Sequence, residues 1–172
     1  MTYDAVTVRT PFGAFTAIAD EGTVVRSGFT DAVDLLRDGL PDRGADIHVR
    51  ADLGRISSAL RAYFAGADVT ALGGLPVRAE GSLAMQRLWS ELRRIPAGEV
   101  RSYAELGGGR RRARAAGAAC ARNPIPLIVP CHRVVRADGS LGGFAGDLTV
   151  KRWLLDHEAA AVGRRPAASA AG

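Results

Sequence analysis

The sequence predicts an α/β (α+β) fold: a small N-terminal domain of antiparallel sheet plus helix, followed by a mainly helical C-terminal domain. Three observations carry this. The first thirty residues alternate apolar and polar side chains in short runs, the second half repeats apolar side chains every three to four positions, and a Gly- and Pro-containing stretch separates the two patterns. At 172 residues the chain suffices for one domain or two small ones, and 47% apolar content with mean hydropathy near zero fits a soluble globular protein.

Val6-Thr7-Val8, the run from Ala14 to Ala19 and the run from Val24 to Phe29 form the expected antiparallel meander, divided by Pro11-Phe12-Gly13 and Asp20-Glu21-Gly22. Thr30 is expected to cap a short helix carrying Val33, Leu35 and Leu36, and the spacing of Leu53, Ile56, Leu60, Tyr63 and Phe64 predicts a longer one. No polar cluster in residues 1–76 suggests chemistry, so this domain reads as scaffold. Residues 77–81 are the expected linker, and 82–162 the second domain.

There, Leu88, Trp89, Leu92 and Ile95 share a helical face that stops at Pro96 and Gly98. Ser102 and Glu105 carry a capping-box signature that starts the next helix at Tyr103. A third helix presents the small residues Ala113, Ala116, Gly117 and Cys120 on one face and ends before Asn123-Pro124. Two short helices around a glycine-containing turn fit a helix-turn-helix or an ordinary αα-hairpin, and periodicity does not separate them. Asp138-Gly139 favours a hairpin turn after Val134-Val135-Arg136. In the last helix Val150, Trp153, Leu154 and His157 share a face, with Glu158 at its edge; residues 163–172 lack any periodicity and are expected to be a disordered tail.

Charge is divided unevenly. Residues 1–80 carry 8 Arg against 11 acidic side chains, whereas residues 81–172 carry 15 Lys and Arg against 7, which suits a phosphate-backbone binder. Lys151 is the single lysine beside 22 arginines, a bias expected of a GC-rich coding sequence. No segment has the apolar length of a membrane span, and the start lacks the basic and apolar regions of a signal peptide, so the cytosol is the expected location. With two cysteines and no zinc-ligand spacing, neither a disulfide framework nor a metal site is expected.

Chemistry concentrates at Pro130-Cys131-His132-Arg133-Val134, where a thiol, an imidazole and a guanidinium follow a proline-bounded apolar segment. A thiol reacts as thiolate, and neighbouring cations or imidazole favour that form. Cys120, on the small-residue face, is expected to serve packing.

From about Gly81 to Glu158 the chain resembles the O6-alkylguanine-DNA alkyltransferases, the methylated-DNA-protein-cysteine methyltransferases. The resemblance rests on an ordered series: Ile95-Pro96-Ala97-Gly98-Glu99-Val100, Ser102-Tyr103, Ala113-Arg114-Ala115-Ala116-Gly117, Asn123-Pro124-Ile125-Pro126, the Pro130-Cys131-His132-Arg133-Val134-Val135 motif, Gly142-Gly143-Phe144, and Lys151-Arg152-Trp153-Leu154-Leu155-Asp156-His157-Glu158. It favours the DNA-binding version of the helix pair, in a winged helix-turn-helix-like domain. It implies stoichiometric, irreversible dealkylation of O6-alkylguanine in double-stranded DNA by Cys131. No metal, cofactor, membrane or obligate protein partner is implied, and a monomer is expected.

The resemblance further implies that His132 takes the thiol proton through a bound water while Glu158 polarises the imidazole, a thiol counterpart of the serine-triad logic. Tyr103 is similar to the tyrosine that donates to the leaving base. Asn123 resembles the hinge asparagine near the thiol, and Arg114 the arginine that replaces the extruded base in the stack. Pro126, Arg133, Val134, Phe144 and Ala145 complete the implied substrate and DNA contacts. Phe144 stands where the family commonly has tyrosine, Ala145 where it can have serine, and the Gly107-Gly108-Gly109 turn is shorter than usual. The alternatives are a non-repairing lesion binder of the same fold, a helix-turn-helix regulator with a structural Cys131, and a Cys-His hydrolase. The first class lacks the cysteine, and no oxyanion loop is evident for the last.

Overall fold

The computed structural model describes residues 1–144 and 147–163. The expected tail from Arg164 onward, and Ala145 among the expected contact residues, lie outside them. The chain forms two compact units that divide between Glu80 and Gly81.

The first unit contains β1 (Thr2–Thr10), β2 (Gly13–Asp20), β3 (Thr23–Gly28), α1 (Val33–Arg37), β4 (Asp46–Val49) and α2 (Arg55–Phe64). The sheet order is β3-β2-β1-β4. The first three strands form the antiparallel meander that alternation predicts, with Ala5 opposite Ile18 on one face and Val6 opposite Ala17 on the other. Tyr3, Ala5, Ile18, Val25, Leu36, Leu40 and Ala45 form one buried cluster. Helix α2 packs against β1 and buries Ile56, Leu60 and Tyr63. The sheet is mixed, because β4 joins β1 in parallel. At this edge strand Asp46, His48 and Val49 are exposed, and Ile47 is the residue that packs against the buried cluster. Thr30 accepts from the amide of Ala32, one residue before α1, and α1 has no side-chain cap.

Part of the stretch expected as linker, 77–81, pairs with the first unit. Val77 bridges Val24, Pro76 and Arg78 exchange backbone bonds with Val24, and Arg78 pairs with Asp20, so this segment belongs to the edge of β3.

The second unit contains α3 (Leu83–Leu92), β5 (Arg101–Ser102), α4 (Tyr103–Gly107), α5 (Ala113–Ala121), β6 (Val134–Val135) and α6 (Leu148–Ala161). The capping box is complete: the Ser102 hydroxyl accepts from the Glu105 amide and the Glu105 carboxylate from the Ser102 amide. Between α4 and α5 lie Gly108, with φ of +79°, and a 3-10 turn over Arg110–Arg112. A left-handed cap at Gly108 costs little without a Cβ, which lets so short a connection reverse the chain. Trp89 on α3 donates to the buried carbonyl of Ala119 on α5 at 2.8 Å, fixing one helix against the other.

Two expectations are corrected in the last third. Asp138-Gly139 does close a tight turn, through Arg136 N–H to Ser140 O, but β6 pairs in parallel with β5 and among the described residues no hairpin strand follows the turn. Helix α6 buries Lys151, Leu154, Leu155, Glu158 and Ala159, whereas Val150, Trp153 and His157 are only half-buried. Its inner face is turned by about one residue, or 100°, from the apolar stripe, so Glu158 sits inside it rather than at its edge.

Candidate active site

The segment after α5 is shaped by Asn123. Its Nδ2 donates to the carbonyl of Val129 at 2.7 Å and its Oδ1 accepts from the amide of Ile125 at 3.0 Å. Both bonds are buried, and they hold a loop in which Leu127 takes φ of +73°. That left-handed region costs a residue with a Cβ about 1–2 kcal/mol, so the loop depends on such bracing. It delivers Cys131 to the start of a 3-10 turn, Cys131–Arg133.

Cys131 is 4% exposed. Burial pushes its thiol up from the ordinary value, while the Asn123 amide and the charge on Lys151 pull the other way. The resting state is therefore the thiol, and nucleophilic use requires a base at the moment of reaction.

His132 follows, fully buried, with Nε2 at 2.7 Å from Oε1 of Glu158. Burial raises the cost of ionising Glu158, but its contacts with His132 and Arg133 outweigh it and hold the carboxyl well below the usual range. Burial also pulls His132 down, so the ring rests neutral against Glu158. An ionised carboxylate at Nε2 fixes the proton there, leaving Nδ1 as the basic nitrogen. Nδ1 is buried with no protein hydrogen-bond partner among the described residues.

Arg133, expected among the substrate and DNA contacts, turns its side chain inward. Its Nε and Nη2 donate to the two oxygens of Glu158, each at 2.9 Å, and Nη1 donates to the carbonyl of Ile95 at 2.6 Å. A guanidinium 25 residues from its carboxylate in sequence is thus committed to the interior. Pro126 and Val134 are likewise buried.

A cavity of about 500 Å³ opens onto Cys131, within the size range of small-molecule sites. Tyr103 enters it from α4, Ala113, Gly117 and Cys120 from α5, and Gly142, Gly143 and Phe144 from the loop after β6. A Cβ on Gly142, at φ of +69°, would stand 2.7 Å from the Tyr103 hydroxyl, so glycine is required for the loop to meet the ring. Burial pushes the Tyr103 phenol up, keeping it a protonated donor. Cys120 lines the cavity besides packing on α5, but burial pushes its thiol up to about 12. Arg114 is exposed at the second residue of α5, outside this lining.

Lys151 is a residue that sequence reasoning missed. Fully buried, its Nζ donates to the carbonyls of Val134 (2.7 Å), Leu141 and Gly143 (3.0 Å), tying both ends of the 134–143 loop to α6. Burial lowers its ammonium to about 8. Its signal was available: it lies one helical turn from Leu154 and Leu155 and two from Glu158.

The chain is similar to known proteins. The family described as "6-O-methylguanine DNA methyltransferase, DNA binding domain" matches residues 84–160. A methylated-DNA-protein-cysteine methyltransferase of Shigella flexneri is 36% identical, across 88% of this chain and 92% of its own length. A protein of the same name from Mycobacterium bovis is 39% identical across 88% and 90%. The crystal structure of Mycobacterium tuberculosis OGT in complex with DNA superimposes with a TM-score of 0.74 at 32% identity, covering 95% of this chain and 96% of that one.

Proposed function

The chain belongs to the methylated-DNA-protein-cysteine methyltransferases, enzymes of direct DNA repair, and we propose that Cys131 is the alkyl-accepting residue and that O6-alkylguanine in duplex DNA is the substrate. The observation that carries this reading is the chain of groups behind the thiol: Cys131 at the cavity, His132 beside it, and Glu158 held ionised by Arg133. In the proposed reaction Nδ1 of His132 takes the Cys131 proton through a bridging water. The sulfur attacks the alkyl carbon, the C–O6 bond breaks, and the electron pair stays on the guanine oxygen. Tyr103 donates a proton to the leaving base. Glu158 stabilises the imidazolium that forms, as the acid of a serine triad does.

The thioether product has no leaving group suited to water at neutral pH, so each molecule reacts once. Base extrusion is required because O6 is inaccessible within the stack, and Arg114, exposed at the start of α5, is proposed to occupy the vacated space. Asn123 is a positioning residue for the loop that carries the thiol. The protein is proposed to act as a monomer in the cytosol; among the described residues no helix is long and apolar enough to cross a membrane. A duplex with a methyl-labelled O6-methylguanine tests the assignment. The wild type should become labelled and Cys131→Ala should not; labelling of the variant would overturn it.

A further inference from the structure

The cavity in front of Cys131 is lined by aromatic, small and thiol side chains, and among its described lining residues Arg136 alone carries a charge. Its backbone is fixed by the turn after β6, donating to Ser140 O and accepting from the Gly139 amide. The side chain is exposed. Asp138, the acid in the same turn, directs Oδ1 to the amide and hydroxyl of Ser140, and no carboxylate among the described residues lies within ion-pair distance of Arg136. Arg136 therefore lines the cavity with no ion-pair partner among the described residues, although Asp138 lies near enough to feel its charge.

The proposed substrate has a matching asymmetry. An extruded nucleotide offers an uncharged base to the cavity, while its only charges are the two flanking phosphodiesters, which stay at the rim because the backbone runs on into the duplex. An uncharged interior with one cation suits a nucleotide and gives no advantage to a free base. We propose that Arg136 is a substrate-binding residue whose guanidinium holds a phosphodiester of the extruded nucleotide, so that this loop selects nucleotides in DNA. The proposal rests on the assignment of the Cys131 cavity as the alkyl-transfer site. Arg is suited to the task, since its planar fork makes two charge-assisted bonds to one phosphate. Lys151, the other cation of this region, has its three bonds directed to carbonyls.

The test compares wild type, Arg136→Ala and Arg136→Lys on three substrates: an O6-methylguanine duplex, the same duplex with uncharged methylphosphonates on both sides of the lesion, and free O6-benzylguanine. Loss of one charge-assisted contact predicts about tenfold slower transfer by Arg136→Ala on the natural duplex, with Arg136→Lys in between. On the methylphosphonate duplex the three proteins should converge, and on the free base they should not differ. A defect of equal size on both duplexes would overturn the phosphate contact. An equal defect on the free base would also overturn it and move Arg136 to the Tyr103 chemistry. Unchanged transfer by Arg136→Ala on the natural duplex would overturn it too. Absence of transfer by the wild type would instead contradict the site assignment itself.

Discussion

Replacing Glu158 by Gln separates the electrostatic support of the site from its shape. Glu158 is fully buried and its two oxygens accept from His132 and twice from Arg133, with the Gly98 amide at 3.3 Å. The amide keeps the volume but removes the charge, leaving the buried Arg133 without a counter-ion. Removing one partner of a buried pair typically costs about 3–5 kcal/mol; the lower end applies because Gln still accepts one bond and Ile95 still accepts another. A domain of ordinary stability, about 5–15 kcal/mol, survives that loss. The reaction suffers separately. Without the carboxylate, Nε2–H is not enforced and the imidazolium is not stabilised, so the general-base contribution of roughly 10²–10⁴ is mostly lost.

The pH dependence has a definite sign. Because the folded carboxyl of Glu158 lies below its ordinary value of 4.5, its contribution is fully present above that value and disappears as pH falls. Urea unfolding should therefore show the wild type losing stability between about pH 6 and pH 3 more steeply than Glu158→Gln. Single-turnover transfer of a labelled methyl group, at a pH near 7 where both proteins are folded, should be about a hundredfold slower in the variant. Unchanged transfer, with the expected loss of stability, would refute Glu158 as the support of the base and leave it a purely structural anchor.

Lys151→Met keeps the stem but leaves three carbonyls without their donor; it should destabilise the second unit by about 2 kcal/mol in urea unfolding and slow transfer by loosening the Tyr103 wall. Arg114→Ala should slow repair of a duplex lesion far more than dealkylation of free O6-benzylguanine, since only the former needs base extrusion; equal slowing would assign it to the fold or the cavity. Affinity for undamaged duplexes should fall steeply with added salt and vary little with sequence, given the excess of basic side chains in residues 81–172, and a salt-insensitive affinity would remove the phosphate contacts.

Features set by short stretches of chain were legible in the sequence. The capping box at Ser102 and Glu105 needs only three residues of context, and its helix places Tyr103 on the cavity. Asn123-Pro124 marked the end of α5, and alternation marked three of the four strands of the first unit. What stayed hidden depends on distant partners. Arg133 looks like one more DNA-facing cation until Glu158, folded back by α6, takes two of its donors. The inner face of α6 was misphased because apolar Val150 and Trp153 compete for it, while the burial of Lys151 and Glu158 is stabilised only by the carbonyls, imidazole and guanidinium that meet them. Strand β4 escaped notice because Asp46-Ile47-His48-Val49 alternates over four residues alone, with a single inward apolar side chain, Ile47, too short a run to stand out as a strand.

The central claim is that the protein is consumed as it repairs. Intact mass of the protein after mixing with an excess of duplex containing one O6-methylguanine tests it most directly. The account predicts complete conversion to a species carrying one added methyl group, with peptide mapping placing it on Cys131 and leaving Cys120, whose thiol burial pushes up to about 12, unmodified. Repair of the lesion with the protein's mass unchanged, or a methyl group on any residue other than Cys131, would contradict it.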